Sequence, residues 1–381
     1  MGPPLAGVKA LAASMSTYFP YEKALFAAAV LHVSAYSSGM EKRLKGQPTV
    51  EAVAAAAGVS TATVSRVLNT PNAVREALRK RVEAAVAQLG YVPHAGARAM
   101  MLRRSGTIGA IFPTVDNAIF AQAIDALQRR LSEAGLQLLI ATCDYDTDAE
   151  MRQAVNLVSR GADALAFCGT GQRPELLEFL RQRSLPCVHV MSLPTDNTMT
   201  SVGFDNALAM AQAVRYLLDL GHRRIAMLAG TTRENDRARA RVQGVRNALQ
   251  AAGLDLPPQR LVERKYGIAE ARDGFSELMA PRVKPTAIVC GNDVLAFGAL
   301  LEAQHAGISV PQSLSITGFD DLELAHHVQP ALTTVRVPTL EMWRTAADRL
   351  IAALHGEAFP RATVIEVSLV VRQSTGPVPR R

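Results

Sequence analysis

Cysteine is scarce in this 381-residue chain, and Cys143, Cys168, Cys187 and Cys290 stand far apart with no CxxC pair. That spacing excludes a disulfide framework and a cysteine metal site. The apolar runs around most of these thiols mark them as small core residues of a reducing compartment. No GxGxxG or Walker loop occurs in the C-terminal two-thirds, so no glycine cradle exists there for a pyrophosphate. The eight histidines are scattered, with only His326 and His327 adjacent, and neither HExxH nor a Cys/His ligand spacing is present. These absences set aside a nucleotide-dependent oxidoreductase and a metalloenzyme. No cofactor and no catalytic residue is expected, and His222 in LGHRRIA reads as the organiser of a turn before a strand.

What the chain does have is a balanced interior and an unbalanced surface. Hydrophobic residues make up 49% and charged residues 20%, enough apolar content for a sizeable core and too much charge for a membrane bundle. The length suggests two or three folded units. Eleven Lys and Arg stand against four acids between residues 41 and 104, whereas 28 bases meet 29 acids from residue 105 onward. A basic module is therefore joined to a nearly neutral one, and clustered positive charge is the footprint of a polyanion binder. Residues 1–46 read as an extension ahead of the folded part. The apolar stretch 25–33 behind Lys23 imitates a short signal-peptide core but starts late, and Met40 reads as an alternative start.

In the basic module, Val50, Val53, Ala54 and Ala57 recur at helical spacing, Gly58 ends that helix, and Ser60 is placed to cap a second one beginning at Thr61. Val64, Val67 and Leu68 share the inward face of the second helix. Thr61, Ala62, Ser65, Arg66 and Asn69 fall on the other face. A third helix over 74–89 turns Val82, Val86 and Leu89 inward and carries the basic run Arg79, Lys80 and Arg81. The plain alternative is a small bundle with a solvated charged face. Against it stands an outer face of short polar side chains and one arginine, which fits the major groove, with flanking bases left to hold phosphates.

The segment AGVSTATVSRVLN, the later VEAAVAQLGYVPH and the ARAM ending resemble, in order and spacing, the headpiece of the lactose/galactose repressor family of bacterial regulators. The resemblance implies that Thr61, Ala62 and Arg66 read bases and that Ser60, Thr63, Ser65 and Asn69 lie near phosphates. It also implies that 94–102, with Arg98, is a hinge that becomes helical on the operator. The chain departs from the family at Ala52, at Arg75, which adds a base where serine is usual, and at Met100, where leucine is usual. Methionine can still act as the apolar minor-groove wedge.

After Arg104 the pattern becomes apolar runs alternating with amphipathic stretches. Thr107–Phe112, Gln137–Thr142, Ala164–Cys168, 187–191, 225–229, Ala287–Cys290 and 315–318 read as buried strands, with helices such as 120–133 and 206–220 between them. Alternation of this kind predicts parallel sheets, and the length predicts two lobes. The expected fold is an N-terminal all-α helix-turn-helix headpiece (47–92), a hinge (93–104) and an α/β effector domain of two parallel-sheet lobes (105–375). The family resemblance continues through IGAIFPTVDNAIFAQ, LGHRRIAMLAG, RARARVQG, AIVCGNDVLAFGAL and SITGFDD, and it implies a fold similar to periplasmic sugar-binding proteins. Carried over residue by residue, it places Asp116, Asn117, Phe120, Arg241, Asn292, Asp293 and Asp320 around an effector cleft, with Tyr266 as an aromatic wall. Arg233, Arg237 and Arg239 crowd the approach to Arg241, which favours an anionic or carboxylated effector over a neutral sugar.

The expected protein is a cytoplasmic transcriptional repressor. It binds a palindromic double-stranded operator as a homodimer, responds to a small-molecule effector, anionic or sugar-derived, and has no membrane role. No leucine heptad follows the last strand, which favours a dimer over a tetramer. The rival is a periplasmic-type binding protein without a DNA role, which would need a clean signal peptide and no headpiece.

Overall fold

The computed structural model describes residues 48–92, 104–194 and 199–379. The readings made on residues 1–46 and on the hinge, including Arg98 and Met100, lie outside the described residues. The described residues fall into two compact units, divided after residue 98.

Among its described residues the first unit has three α-helices: α1 (Val50–Ala57), α2 (Thr61–Asn69) and α3 (Glu76–Leu89). Thr49 caps α1 by accepting from the Ala52 amide, and Ser60 caps α2 by accepting from the Thr63 amide. Gly58 ends α1 at φ 62°, a left-handed conformation that costs glycine little. The core of this unit is small: Val53, Ala54, Ala57, Val64, Val67, Val82 and Ala85. Each valine buried there stabilises by roughly 1.5–3 kcal/mol. The third helix starts at Glu76, later than its periodicity suggests, because Pro71–Ala73 form a short 3-10 turn first.

The second unit has two sheets of six strands. In lobe 1 the spatial order is β11-β5-β4-β3-β1-β2, with β1 Thr107–Phe112, β2 Gln137–Thr142, β3 Ala164–Cys168, β4 Cys187–Val190, β5 Ser201–Gly203 and β11 Ala362–Val364. In lobe 2 it is β12-β10-β9-β8-β6-β7, with β6 Ile225–Gly230, β7 Leu261–Arg264, β8 Ala287–Cys290, β9 Ser315–Asp320, β10 Thr333–Arg336 and β12 Ser368–Val370. Every pairing is parallel except β10 with β12. The chain builds lobe 1 through β5, then lobe 2 through β10, returns to supply β11 to lobe 1, and ends with β12 in lobe 2. It thus passes three times between the lobes.

Helices α4 (Ala118–Glu133), α5 (Thr147–Ser159), α6 (Pro174–Gln182) and α12 (Thr339–His355) serve lobe 1, and α7 (Asn206–Asp219), α8 (Asp236–Ala251), α9 (Ile268–Met279), α10 (Asp293–His305) and α11 (Leu324–His327) serve lobe 2. Trp343 of α12 packs on Phe112 at 4.8 Å, and Phe112 meets Phe120 edge-on at 6.0 Å, so the returning helix is locked into the lobe 1 core.

Two expectations are corrected here. Strand β2 is not buried: it is the outer strand of its sheet, and Leu139 and Ile140 are 37% and 42% exposed. Strands β5, β7, β10, β11 and β12 were not anticipated, since they are three or four residues long, and β7 (LVER) and β10 (TTVR) lack an apolar run. Cys143, Cys168 and Cys290 are buried core residues, and Cys187 is half-buried against the lobe 1 core. Burial pushes Cys143 up to about 12 and Cys168 and Cys187 up to about 11, which leaves their thiols unreactive. The buried His222 ring bridges the Thr286 hydroxyl at 2.9 Å and the Gly376 carbonyl at 3.0 Å, ahead of β6.

Candidate DNA-reading helix and effector cleft

The turn between α1 and α2 presents one face of α2 outward. Val64 and Val67 are buried against α1, which leaves Thr61, Ala62 and Arg66 exposed and Thr63 and Ser65 half-buried. The Ser60 and Thr63 hydroxyls share a hydrogen bond of 2.9 Å while Ser60 also caps the helix, so each has a fixed position from which to meet a further oxygen. The side chain of Asn69 lies outside the described residues. The Arg66 side chain stands on the outer face, while its carbonyl accepts from the Thr70 amide at 2.8 Å.

The cleft between the lobes of the second unit has two regions. Near the crossings, Arg241 of α8 is buried and donates to the Asn206 side chain (3.0 Å) and the Gly291 carbonyl (2.7 Å). Its guanidinium lies 3.7 Å over the Phe319 ring and 4.0 Å from the Asp320 carboxylate. Asp320 sits at φ 115°, a region sparsely populated by residues other than glycine, with Oδ1 buried and without a hydrogen-bond partner. Burial pushes its carboxyl up to about 7, against the opposing pull of Arg241 and Arg237. Asn292 stands next to Gly291, with its side chain capping α10 through the Leu295 amide.

Farther out, the lobes touch directly. Asp236 of lobe 2 accepts from the Thr170 amide (2.9 Å) and the Ser192 hydroxyl (2.8 Å) of lobe 1. Arg237 donates to the Cys168 carbonyl at 2.7 Å and pairs with Asp236, and Glu234 accepts from the Thr147 amide at 2.9 Å. Gly169 makes this approach possible, since a Cβ there would collide with the Arg237 guanidinium. Burial works to raise the Asp236 carboxyl, but Arg237, Thr170 and Ser192 outweigh it and hold it below its ordinary value. The Tyr145 and Tyr266 rings meet across the cleft at 5.9 Å. Between these contacts a cavity of about 20 Å³ is left, which is water-sized. On its wall, burial raises the Glu150 carboxyl, which is held by Gln172, and Gln172 in turn bonds Nδ1 of the buried His189 at 2.9 Å.

Residues 49–94 match the family model described as bacterial regulatory proteins, lacI family, and residues 214–375 match a periplasmic binding protein-like domain. Catabolite control protein A of Priestia megaterium is 31% identical over 328 residues, 86% of this chain and 99% of that protein. This chain belongs to the LacI family. The ribose operon repressor of Escherichia coli K12 is 32% identical over 304 residues, 80% of this chain and 92% of that one. The lac repressor dimer bound to operator and the anti-inducer ONPF superposes with a TM-score of 0.76 at 25% identity, over 87% of this chain and 99% of that one. The protein is thus a DNA-binding transcriptional regulator of the effector-controlled repressor type, not an enzyme. No helix among the described residues is long and apolar enough to cross a membrane, and no three of their His, Cys, Asp and Glu side chains come together as a metal-holding group.

The structure gathers some of the expected effector residues and disperses others. Arg241, Asn292 and Asp320 lie together, and Tyr266 stands against Tyr145. Asn117 is buried and caps α4 by accepting from the Ile119 amide. Asp116 is exposed on the loop before α4. Phe120 is buried on the inward stripe of α4, and Asp293 is buried and accepts from the Leu322 amide (2.7 Å) and the Thr334 hydroxyl (2.6 Å), tying the β9 and β10 ends together. The charge expected around Arg241 is also spent elsewhere. Arg233 points into solvent beside Glu234, Arg239 donates to the Thr232 carbonyl, and Arg237 is neutralised by Asp236. The cross-lobe partners Thr147, Thr170, Ser192 and Asp236 went unnoticed in the sequence, where nothing links residues 66 apart.

Two expected outcomes follow from this geometry. Asp236→Ala strands a buried guanidinium and costs about 3 kcal/mol or more, read as a lower urea midpoint. The double variant Asp236→Ala/Arg237→Met recovers most of that loss, and a double variant no more stable than the single one would refute the charge-pair account. The second outcome concerns pH. A carboxyl near 7 when folded and near 3.9 when unfolded binds its proton more tightly in the native state, so this contribution to stability is lost as pH rises from about 4 to about 7. The stability of wild type relative to Asp320→Asn therefore falls across that window and is flat above about pH 8. Urea unfolding of both proteins at pH 5 and pH 8 tests it, and an equal difference at the two values counts against the raised carboxyl.

Proposed function

We propose that the regulator binds a palindromic operator as a cytoplasmic homodimer and that its effector is a neutral, hydroxyl-rich molecule of the carbohydrate kind. Thr61, Ala62 and Arg66 read base edges in the major groove. Ser60, Thr63, Ser65 and Asn69 hold phosphates, and Arg98 and Met100 belong to a hinge at the minor groove. The outer strand β2, with Leu139 and Ile140 exposed, supports a self-association face.

The observation that carries the effector reading is that the cleft cations are already engaged from within: Arg237 pairs with Asp236, and Arg241 is held by the Asn206 side chain, the Gly291 carbonyl and the Phe319 ring, with the Asp320 carboxyl 4.0 Å away. An anion would have to share this site with the Asp236 and Asp320 carboxyls, whereas Arg241, Asn206, Asn292 and Asp320 offer donors and acceptors suited to hydroxyls, with Tyr145, Tyr266 and Phe319 as ring faces. The solved CelR–cellobiose complex, 30% identical with a TM-score of 0.63, lends support from a related fold. In this mechanism the effector favours one arrangement of the lobes over another and thereby shifts operator affinity, by roughly 1–3 kcal/mol of coupling.

Nuclease protection of palindromes upstream of the protein's own and adjoining genes, followed by titration of the complex with neutral sugars and with uronic acids, tests both parts. Protection of a two-fold site altered by a neutral sugar is expected. No protected site would defeat the operator assignment, and a response to uronic acids alone would defeat the neutral effector.

A further inference from the structure

The basic run of α3 looks in sequence like a phosphate-binding stripe, but its three cations are engaged within the headpiece. Lys80 pairs with Glu76 at 2.8 Å and Arg79 with Glu83 at 3.5 Å, both one helical turn away on α3. Arg81 instead reaches off its own helix. Its Nη2 donates to the carbonyl of Ala57, the last residue of α1, at 2.6 Å and to the Gly58 carbonyl at 3.3 Å.

The end of α1 needs such a donor. A helix leaves its last four carbonyls without intrahelical partners. The Val59 amide takes Ala54 and the Gly58 amide takes Ala55, after which the chain turns away into α2. The last turn of α1 contains no basic residue of its own, so the negative end of its dipole is answered from α3. Gly58 serves this contact twice, through its left-handed φ and because a Cβ would stand 2.9 Å from the Arg81 Nη2.

We propose that Arg81 is a positioning residue for DNA recognition: it pins the turn that aims α2, rather than holding a phosphate. The proposal rests on the reading of α2 as the base-reading helix. The turn Gly58-Val59-Ser60 is the short link between α1 and α2, so its direction sets where Thr61 and Arg66 stand.

The test uses the full chain, a duplex selected by the wild type from a random pool, and a random duplex of equal length. Arg81→Met is expected to weaken binding to the selected duplex roughly tenfold, the scale of one charge-assisted hydrogen bond. Binding to the random duplex should change less than about twofold, with the slope of log affinity against log salt unchanged. Arg81→Lys, which keeps a charged donor, recovers most of the loss. A phosphate contact would instead weaken both duplexes alike and make the slope shallower by about 0.9 per contact, which overturns the proposal. So do unchanged discrimination in Arg81→Met and a loss that vanishes on cooling in step with a lowered melting temperature. If the wild type itself selects no duplex, it is the reading of α2 that fails, and the two failures are told apart.

Discussion

Arg66→Ala is expected to lower operator affinity by about thirtyfold or more while leaving the fold intact. A good bidentate contact between a side chain and a base is worth about 1–3 kcal/mol, and a two-fold complex loses two of them, about 2–6 kcal/mol. The substitution removes no core atom, since Arg66 is exposed on the outer face of α2 and the hydrogen bond to its carbonyl is made by the backbone. Gel shifts at fixed salt, with the melting temperature followed in parallel, measure it. A solvated charge at this position would cost only a few-fold, equally on any sequence, and that outcome would remove Arg66 from base reading.

The second large effect belongs to Arg241. Alanine there strips a donor from the Gly291 carbonyl and the Asn206 side chain and uncovers the Phe319 face. Each hydrogen bond from a charged donor is worth about 1.5–3 kcal/mol, so a clear drop in the urea midpoint is expected. Operator binding, whose contacts lie in the other unit, persists at temperatures where the protein stays folded, but it no longer responds to effector. Arg241→Lys restores the charge without the planar fork that spans Asn206 and Gly291. It should regain part of the stability and little of the response. A variant that is destabilised yet fully responsive would show that Arg241 supports the lobe without touching the effector.

Several residues mark the boundary between what was legible and what was not. The headpiece was readable because its signals are local: the spacing of Val53, Ala57, Val64 and Val67, the serine cap at Ser60 and the helix-ending Gly58 act within a few residues of one another. The long apolar strands were readable for the same reason. β2 was misjudged because an apolar run does not tell an outer strand from an inner one, and Leu139 and Ile140 proved half open to solvent. The motif names Phe120 and Asp293 but not their partners: Phe120 packs edge-on against Phe112, and Asp293 takes two hydrogen bonds within lobe 2. Arg237, noticed only as one of a crowd of cations, turned out to be the one that bridges the lobes.

The order of elements, the turn between α1 and α2, and the basic head on a neutral body were decided by the chain alone, because each depends on neighbours a few positions away. Which carboxylates meet which cations, which strand is left at an edge, and how the cleft walls touch were decided only when strands and helices distant in the chain were stacked. Asp236 meets Thr170 and Arg237 meets Cys168 through the packing of two sheets, and the burial that raises Asp320 comes from the same packing. Pairings of that kind depend on distance and desolvation in three dimensions, which linear spacing does not encode.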